Sequence, residues 1–148
     1  MEPSLENFPI KTKVLGYIVQ KVHSVQKLLI FSHQHYPEAG LQVPGGTVEA
    51  GEKLEGALLR EIKEESGLTE FGSVIYLGEA TFIHDQRQEM HRRHFFQVQY
   101  KGEVLEEFIH EVIEGEEDKG LRFHYKWVSL TEIPALAADQ DCMVHYIK

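Results

Sequence analysis

The chain has 148 residues, 42% of them hydrophobic and 26% charged, with a formal charge of −9, which suits one compact domain over residues 1–148 with a single core. So acidic a chain excludes general affinity for nucleic acid backbones, which draws on many Lys and Arg contacts to phosphate. No apolar run approaches the roughly 18 residues that cross a bilayer, so no membrane partner is expected.

The first stretch, "MEPSLENFPIKTK", lacks the basic-then-apolar pattern of a secretory signal. The one cysteine, Cys142, has no internal partner, so a reduced thiol in a cytoplasmic protein is the expectation. Residues 13–32, "KVLGYIVQKVHSVQKLLIFS", carry two β-branched and aliphatic runs around a polar centre and predict a hairpin. "HQHYPEAGLQVPGG" follows with prolines and glycines, which predict loop with a short extended piece at residues 41–43.

Residues 54–66 are rich in Leu, Glu, Lys, Ala and Arg and run into Gly67, the composition and stop signal of a helix. "SVIYLGEATFI" and "RHFFQVQYKGEVL" predict strands, with Gly78 marking a bulge in the first. The acidic segment "EEFIHEVIEGEEDKG" separates them from a last strand at residues 121–128, and "SLTEIPALAAD" predicts a short terminal helix. Strands, helix, strands and helix in that order point to a mixed-sheet α/β or α+β sandwich.

Helical geometry puts residues three and four apart on one face, so Glu61, Glu64 and Glu65 project together and Leu58, Leu59 and Ile62 form the adjoining arc that docks on the sheet. Arg60 lies four residues before Glu64, within pairing reach. Three carboxylates on one stripe raise one another's pKa and cost stability unless a cation neutralises them. Two readings follow: a solvated acidic face, or a site for Mg²⁺ or Mn²⁺, which take hard oxygen ligands and keep positions open for water and phosphate.

The wider pattern favours the second. Gly46, five residues, Glu52, seven residues, Arg60, Glu61, Ile62, one residue, Glu64, Glu65, one residue, Gly67, Leu68 resembles the Nudix box at every fixed position. Such a resemblance to the Nudix hydrolase family implies an α/β/α sandwich with a mixed β-sheet, the box forming loop, helix and loop. It also implies hydrolysis of a nucleoside diphosphate linked to another group, X, with Mg²⁺ or Mn²⁺ as cofactor, and homodimers are common in the family. Carried over, Glu61, Glu64 and Glu65 would be metal ligands and Arg60 would orient the carboxylates. Glu52 would pair with Arg60 or reach metal through water. Gly45 and Gly46 would let the backbone turn tightly beside the metal or approach a phosphate oxygen; turn geometry alone is the competing reading.

Attack on a phosphorus surrounded by negative oxygens needs a proton acceptor. Glu61 or Glu64 could serve within the box, and some family members use a glutamate on a later loop. In "EGEED" that residue would be Glu117, with Glu116 beside it. For substrate contacts, "HDQRQEMHRRHFF" concentrates cations in an acidic chain; strand alternation sends Arg92 and His94 to one face and Arg93 to the other, and Arg92 and His94 are the pair taken as substrate-facing. Tyr36 could stack on a base or pack its own loop. His33 and His35 lack a third metal ligand, and Trp127 reads as a sheet residue. The downstream markers of ADP-ribose pyrophosphatases, diadenosine polyphosphate hydrolases and NADH pyrophosphatases are absent. The rival reading is a Nudix-fold module that senses a nucleotide without hydrolysing it.

Overall fold

The computed structural model describes residues 4–115 and 118–148. Strands β1 (Ile10–Val22) and β2 (Val25–His33) form the expected hairpin. Its two turn residues, His23 and Ser24, both lie at positive φ, 52° and 66°, the backbone that matches the twist of the flanking strands. The sheet continues with β3 (Gly45–Thr47), β4 (Phe71–His84), β5 (Glu89–Tyr100), β6 (Glu107–Glu111) and β7 (Arg122–Ser129). The strand order is β4-β5-β1-β2-β7-β6, with β3 paired to β1. β1 and β5 run parallel while the other pairs are antiparallel, so the sheet is mixed.

Helix α1 (Leu54–Ser66) ends at Gly67, which adopts φ 78° and donates its N–H to the Lys63 carbonyl; a residue with a Cβ would be strained there. The helix buries Ala57, Leu58 and Ile62 among Val14 and Ile18 of β1, Leu29 and Phe31 of β2, and Phe96 and Val98 of β5. Leu59 is only half-buried, because the docking arc runs through Ala57, Leu58 and Ile62 and Leu59 falls at its edge. On the other sheet face Leu15, Tyr17, Val19, Leu28, Ile30 and Phe95 pack under Leu136 and the half-buried Ile133, Met143, Val144 and Ile147. β1 supplies both layers by strict alternation.

Three local features differ from the sequence expectation. The C-terminal stretch forms short 3₁₀ turns at Leu130–Glu132, Ala137–Asp139 and Val144–Tyr146 in place of one terminal helix. Pro134 follows the first turn, and Ala138 and Asp139 sit in the left-handed region at φ 52° and 57°, which no continuous helix accommodates. The tail "KGEVL" leaves the sheet after Tyr100. The acidic segment holds an unanticipated strand, β6, whose exposed Glu107 and Glu111 suit a sheet edge; Phe108 stacks on Tyr125 at 4.9 Å. The bulge at Gly78 is present as a register shift between Tyr76 and Gly78 against β5. Among the described residues no helix is long and apolar enough to cross a membrane.

Candidate active site

The three carboxylates Glu61, Glu64 and Glu65 of α1 do not behave alike, because the helix turns them toward different neighbours. Arg60 is the hub for the first two. Its Nε and Nη2 donate to both carboxylate oxygens of Glu52 at 2.7 and 2.8 Å, a bidentate pair that fixes the guanidinium plane. Nη2 also reaches the Thr47 carbonyl at 3.1 Å. Nη1 is left to bridge Glu61 at 2.9 Å and Glu64 at 3.3 Å.

The electrostatics follow. Hydrogen bonding from Arg60 holds the Glu52 carboxyl down at about 2, and Glu52 in turn raises the Arg60 pKa above its usual value. Glu61 goes the other way: burial outweighs the pull of Arg60, Glu64 adds repulsion, and its carboxyl is pushed up to about 7. A Cβ at Gly46 would overlap the Glu61 carboxyl group, so that position admits the close approach only because it is glycine.

Glu65 is the deepest of the set, 5% exposed. Its Oε1 accepts the Gly45 N–H at 2.7 Å, and its backbone carbonyl accepts the Tyr125 hydroxyl at 2.9 Å. Burial first, and the neighbouring Asp118 carboxyl second, push its pKa well above the usual carboxylate range. Glu65 therefore joins the box to the sheet through Gly45 on one side and β7 on the other.

Two cavities meet at Glu65 and Asp118. One, of about 300 Å³, is lined by Arg60, Glu61, Glu64 and the loop residues Glu114 and Gly115. The other, of about 180 Å³, lies on the sheet side of Gly45 and Gly46 and is lined by Lys13, His91, Arg93 and Gln140. Alternation along β1 and β5 aims Lys13, His91 and Arg93 at this face, and Lys13 and Arg93 are register partners. Lys13 Nζ donates to Thr47 Oγ1 at 2.6 Å, while His91 Nε2 bonds Glu89 at 3.0 Å. Burial lowers the pKa of both His91 and Arg93.

The structure thus brings Gly45, Gly46, Glu52, Arg60, Glu61, Glu64 and Glu65 together. It does not bring Arg92, His94 or Tyr36 to either cavity. Arg92 pairs with Glu79 at 3.1 Å on the surface, His94 bonds the Tyr76 hydroxyl at 2.8 Å, and Tyr36 is exposed. The correction is one of face: of the adjacent arginines it is Arg93, not Arg92, that turns to a cavity, which required knowing that β5 pairs with β1. Glu117 and Glu116 lie outside the described residues. Asp118 beside them lines both cavities, and its only signal in the sequence is membership of the acidic run.

The donor set suits a hard divalent cation: three carboxylates, one of them held up at about 7 by burial and like charge, are what a cation would relieve. Among the described residues no three acidic side chains converge on one point, because Glu61 and Glu64 are turned on to Arg60 and Glu65 on to Gly45. Ligation would exchange the Arg60 contacts of Glu61 and Glu64 for metal.

Comparison with known proteins agrees with this geometry. A family model, the NUDIX domain, matches residues 14–147. An ADP-ribose pyrophosphatase of Methanocaldococcus jannaschii is 49% identical over 43 residues, which span 28% of this chain and only 25% of that protein. Among solved structures, a MutT NUDIX hydrolase from Burkholderia pseudomallei superposes with a TM-score of 0.68 at 22% identity, over 94% of this chain and 98% of that one. The NUDIX domain of Shewanella oneidensis NrtR, solved with ADP ribose, also gives a TM-score of 0.68, at 16% identity over 96% and 92% of the two chains. With the box on α1, the mixed sheet behind it and the domain match across nearly the whole length, this chain belongs to the Nudix family.

Proposed function

We propose that the protein is a metal-dependent pyrophosphohydrolase that cleaves the diphosphate bond of a nucleoside diphosphate linked to a further group. The observation that carries this reading is the Arg60 hub: one guanidinium, locked by Glu52, holds Glu61 and Glu64 at the mouth of a cavity that also receives Glu65. A module that only sensed a nucleotide would have no use for carboxylates kept under mutual repulsion.

In this reading Glu61, Glu64 and Glu65 hold Mg²⁺ or Mn²⁺, which when bound neutralises phosphate charge and lowers the pKa of a water. Arg60, locked by Glu52, keeps Glu61 and Glu64 at the cavity until metal takes over those contacts. Gly45 and Gly46 keep the backbone close against Glu65 and Glu61. The proton acceptor is Glu117, with Glu116 as the alternative. The assignment rests on chain position, since Gly115 lies against Glu64, its Cβ position 3.0 Å from Oε2, and Asp118 against Glu65.

The test is product identification by mass after incubation with nucleoside triphosphates, nucleotide sugars, ADP-ribose and dinucleoside polyphosphates, each with Mg²⁺, Mn²⁺ or EDTA. Cleavage of one class that requires the metal is the expected result. Tight nucleotide binding with no cleavage across the panel would replace the enzyme by a sensor.

A further inference from the structure

Arg93 is 6% exposed, and among the described residues no carboxylate lies within ion-pair distance of it. It is held instead by uncharged groups. Its Nη1 donates to the Ala138 carbonyl, and its guanidinium carbon lies 4.0 Å from the centre of the Phe82 ring, a favourable seat for a cation. Neither partner cancels the charge, and a buried charge without a counter-ion is costly.

The seat itself is built at some expense. The Ala138 carbonyl comes from a two-residue kink in which Ala138 and Asp139 occupy the left-handed region at φ 52° and 57°, a conformation that persists only where the surroundings over-determine it. Gln140, next in the chain, pins the kink to the cavity wall by accepting the Val43 N–H at 2.9 Å through Oε1. Among the described residues no fully buried side-chain nitrogen lacks a partner. The Arg93 nitrogens not bonded to Ala138 therefore reach open space, and the cavity beside Gly45 and Gly46 is the space Arg93 lines.

The other groups on that cavity are already engaged. His91 bonds Glu89 and Lys13 bonds Thr47, while Glu65 accepts from Gly45 with Asp118 beside it. Among the described residues Arg93 faces the cavity with uncharged partners only, and its planar fork of donors fits a phosphoryl group.

We propose that Arg93 anchors a phosphoryl oxyanion of the substrate from the sheet side of the Gly45-Gly46 turn. This deepens the hydrolase reading and rests on it for the word substrate. The oxyanion belongs either to the diphosphate that is cleaved or to a further phosphoryl group in line with it.

The direct test is calorimetric titration of inorganic pyrophosphate in EDTA, where the box carboxylates repel the anion and no metal can recruit it. Saturable binding to the wild-type chain is expected, weakened at least about tenfold in Arg93→Met and largely restored in Arg93→Lys, with thermal unfolding checked for each. The Arg93 Nε–H resonance of the wild-type protein should shift with the same dissociation constant, a readout that does not require any variant to fold. A folded Arg93→Met chain that binds as wild type, or an unmoved Arg93 resonance, would overturn the proposal. In the metal-loaded enzyme Arg93→Met should raise KM more than it lowers kcat. A rise for both ADP-ribose and a nucleoside triphosphate assigns the anchor to the shared diphosphate, and a rise for the triphosphate alone assigns it to a third phosphoryl group; unchanged KM for both overturns it. Pyrophosphate bound through Arg93 by a protein that cleaves nothing would sink the hydrolase reading and leave this site standing.

Discussion

Glu61 should make the metal-free protein lose stability as the pH rises through neutrality. Its side chain is 13% exposed, and burial lifts its carboxyl from 4.5 to about 7. The folded state therefore holds a proton that the unfolded chain has already released. Stability supplied by that proton is complete below about 4.5 and is lost as the pH climbs through about 7. Between pH 5 and pH 8 the loss is on the order of 2 to 3 kcal/mol for this one group. The assay is urea unfolding at unit pH intervals in EDTA, comparing wild type with Glu61→Gln, which cannot titrate at this position. The difference between the two should grow by roughly 2 to 3 kcal/mol across that window in favour of the variant, and saturating Mn²⁺ should recover the wild-type loss by binding the ionised carboxylate. Parallel pH profiles for the two proteins would refute the reasoning.

Other perturbations read other links. Gly46→Ala puts a Cβ into the Glu61 carboxyl, the end of a flexible side chain, so the fold should survive on circular dichroism while Mn²⁺ affinity drops roughly tenfold or more in a calorimetric titration. Tyr125→Phe removes the 2.9 Å hydroxyl bond to the Glu65 carbonyl but keeps the stacking on Phe108; urea unfolding should show a loss of about 1 to 2 kcal/mol, and no measurable loss would mean that this bond does not hold Glu65 in place.

The box was legible because its chemistry is local. Thirteen helical residues with Gly67 after them carry their own period, stop signal and carboxylate spacing, so Arg60, Glu61 and Glu64 could be placed on one stripe without any tertiary information. β1, β2 and α1 were legible for the same reason. What the chain could not disclose was pairing between distant segments. Arg92 and Arg93 are equivalent in sequence, and only the parallel register of β5 on β1 decides which faces a cavity. β6 was hidden because an edge strand with charged ends reads as an acidic loop. The terminal helix failed on the backbone of Ala138 and Asp139; alanine is the best of helix formers and gives no sign of a positive φ. The burial of Glu65 likewise depends on Gly45 and Tyr125, far away in sequence on β3 and β7.

The central claim is that the α1 carboxylates are chemical groups and not a solvated helix face. Glu64 is half-buried at the cavity mouth and away from the core, so Glu64→Gln should fold as wild type. The measurement is phosphate or nucleotide release by purified wild-type and Glu64→Gln proteins on the substrate class that the panel identifies, at saturating Mg²⁺ or Mn²⁺. The account predicts a fall in turnover of about 100-fold or more with the unfolding midpoint little changed. Wild-type turnover in a folded, metal-saturated Glu64→Gln protein would contradict it.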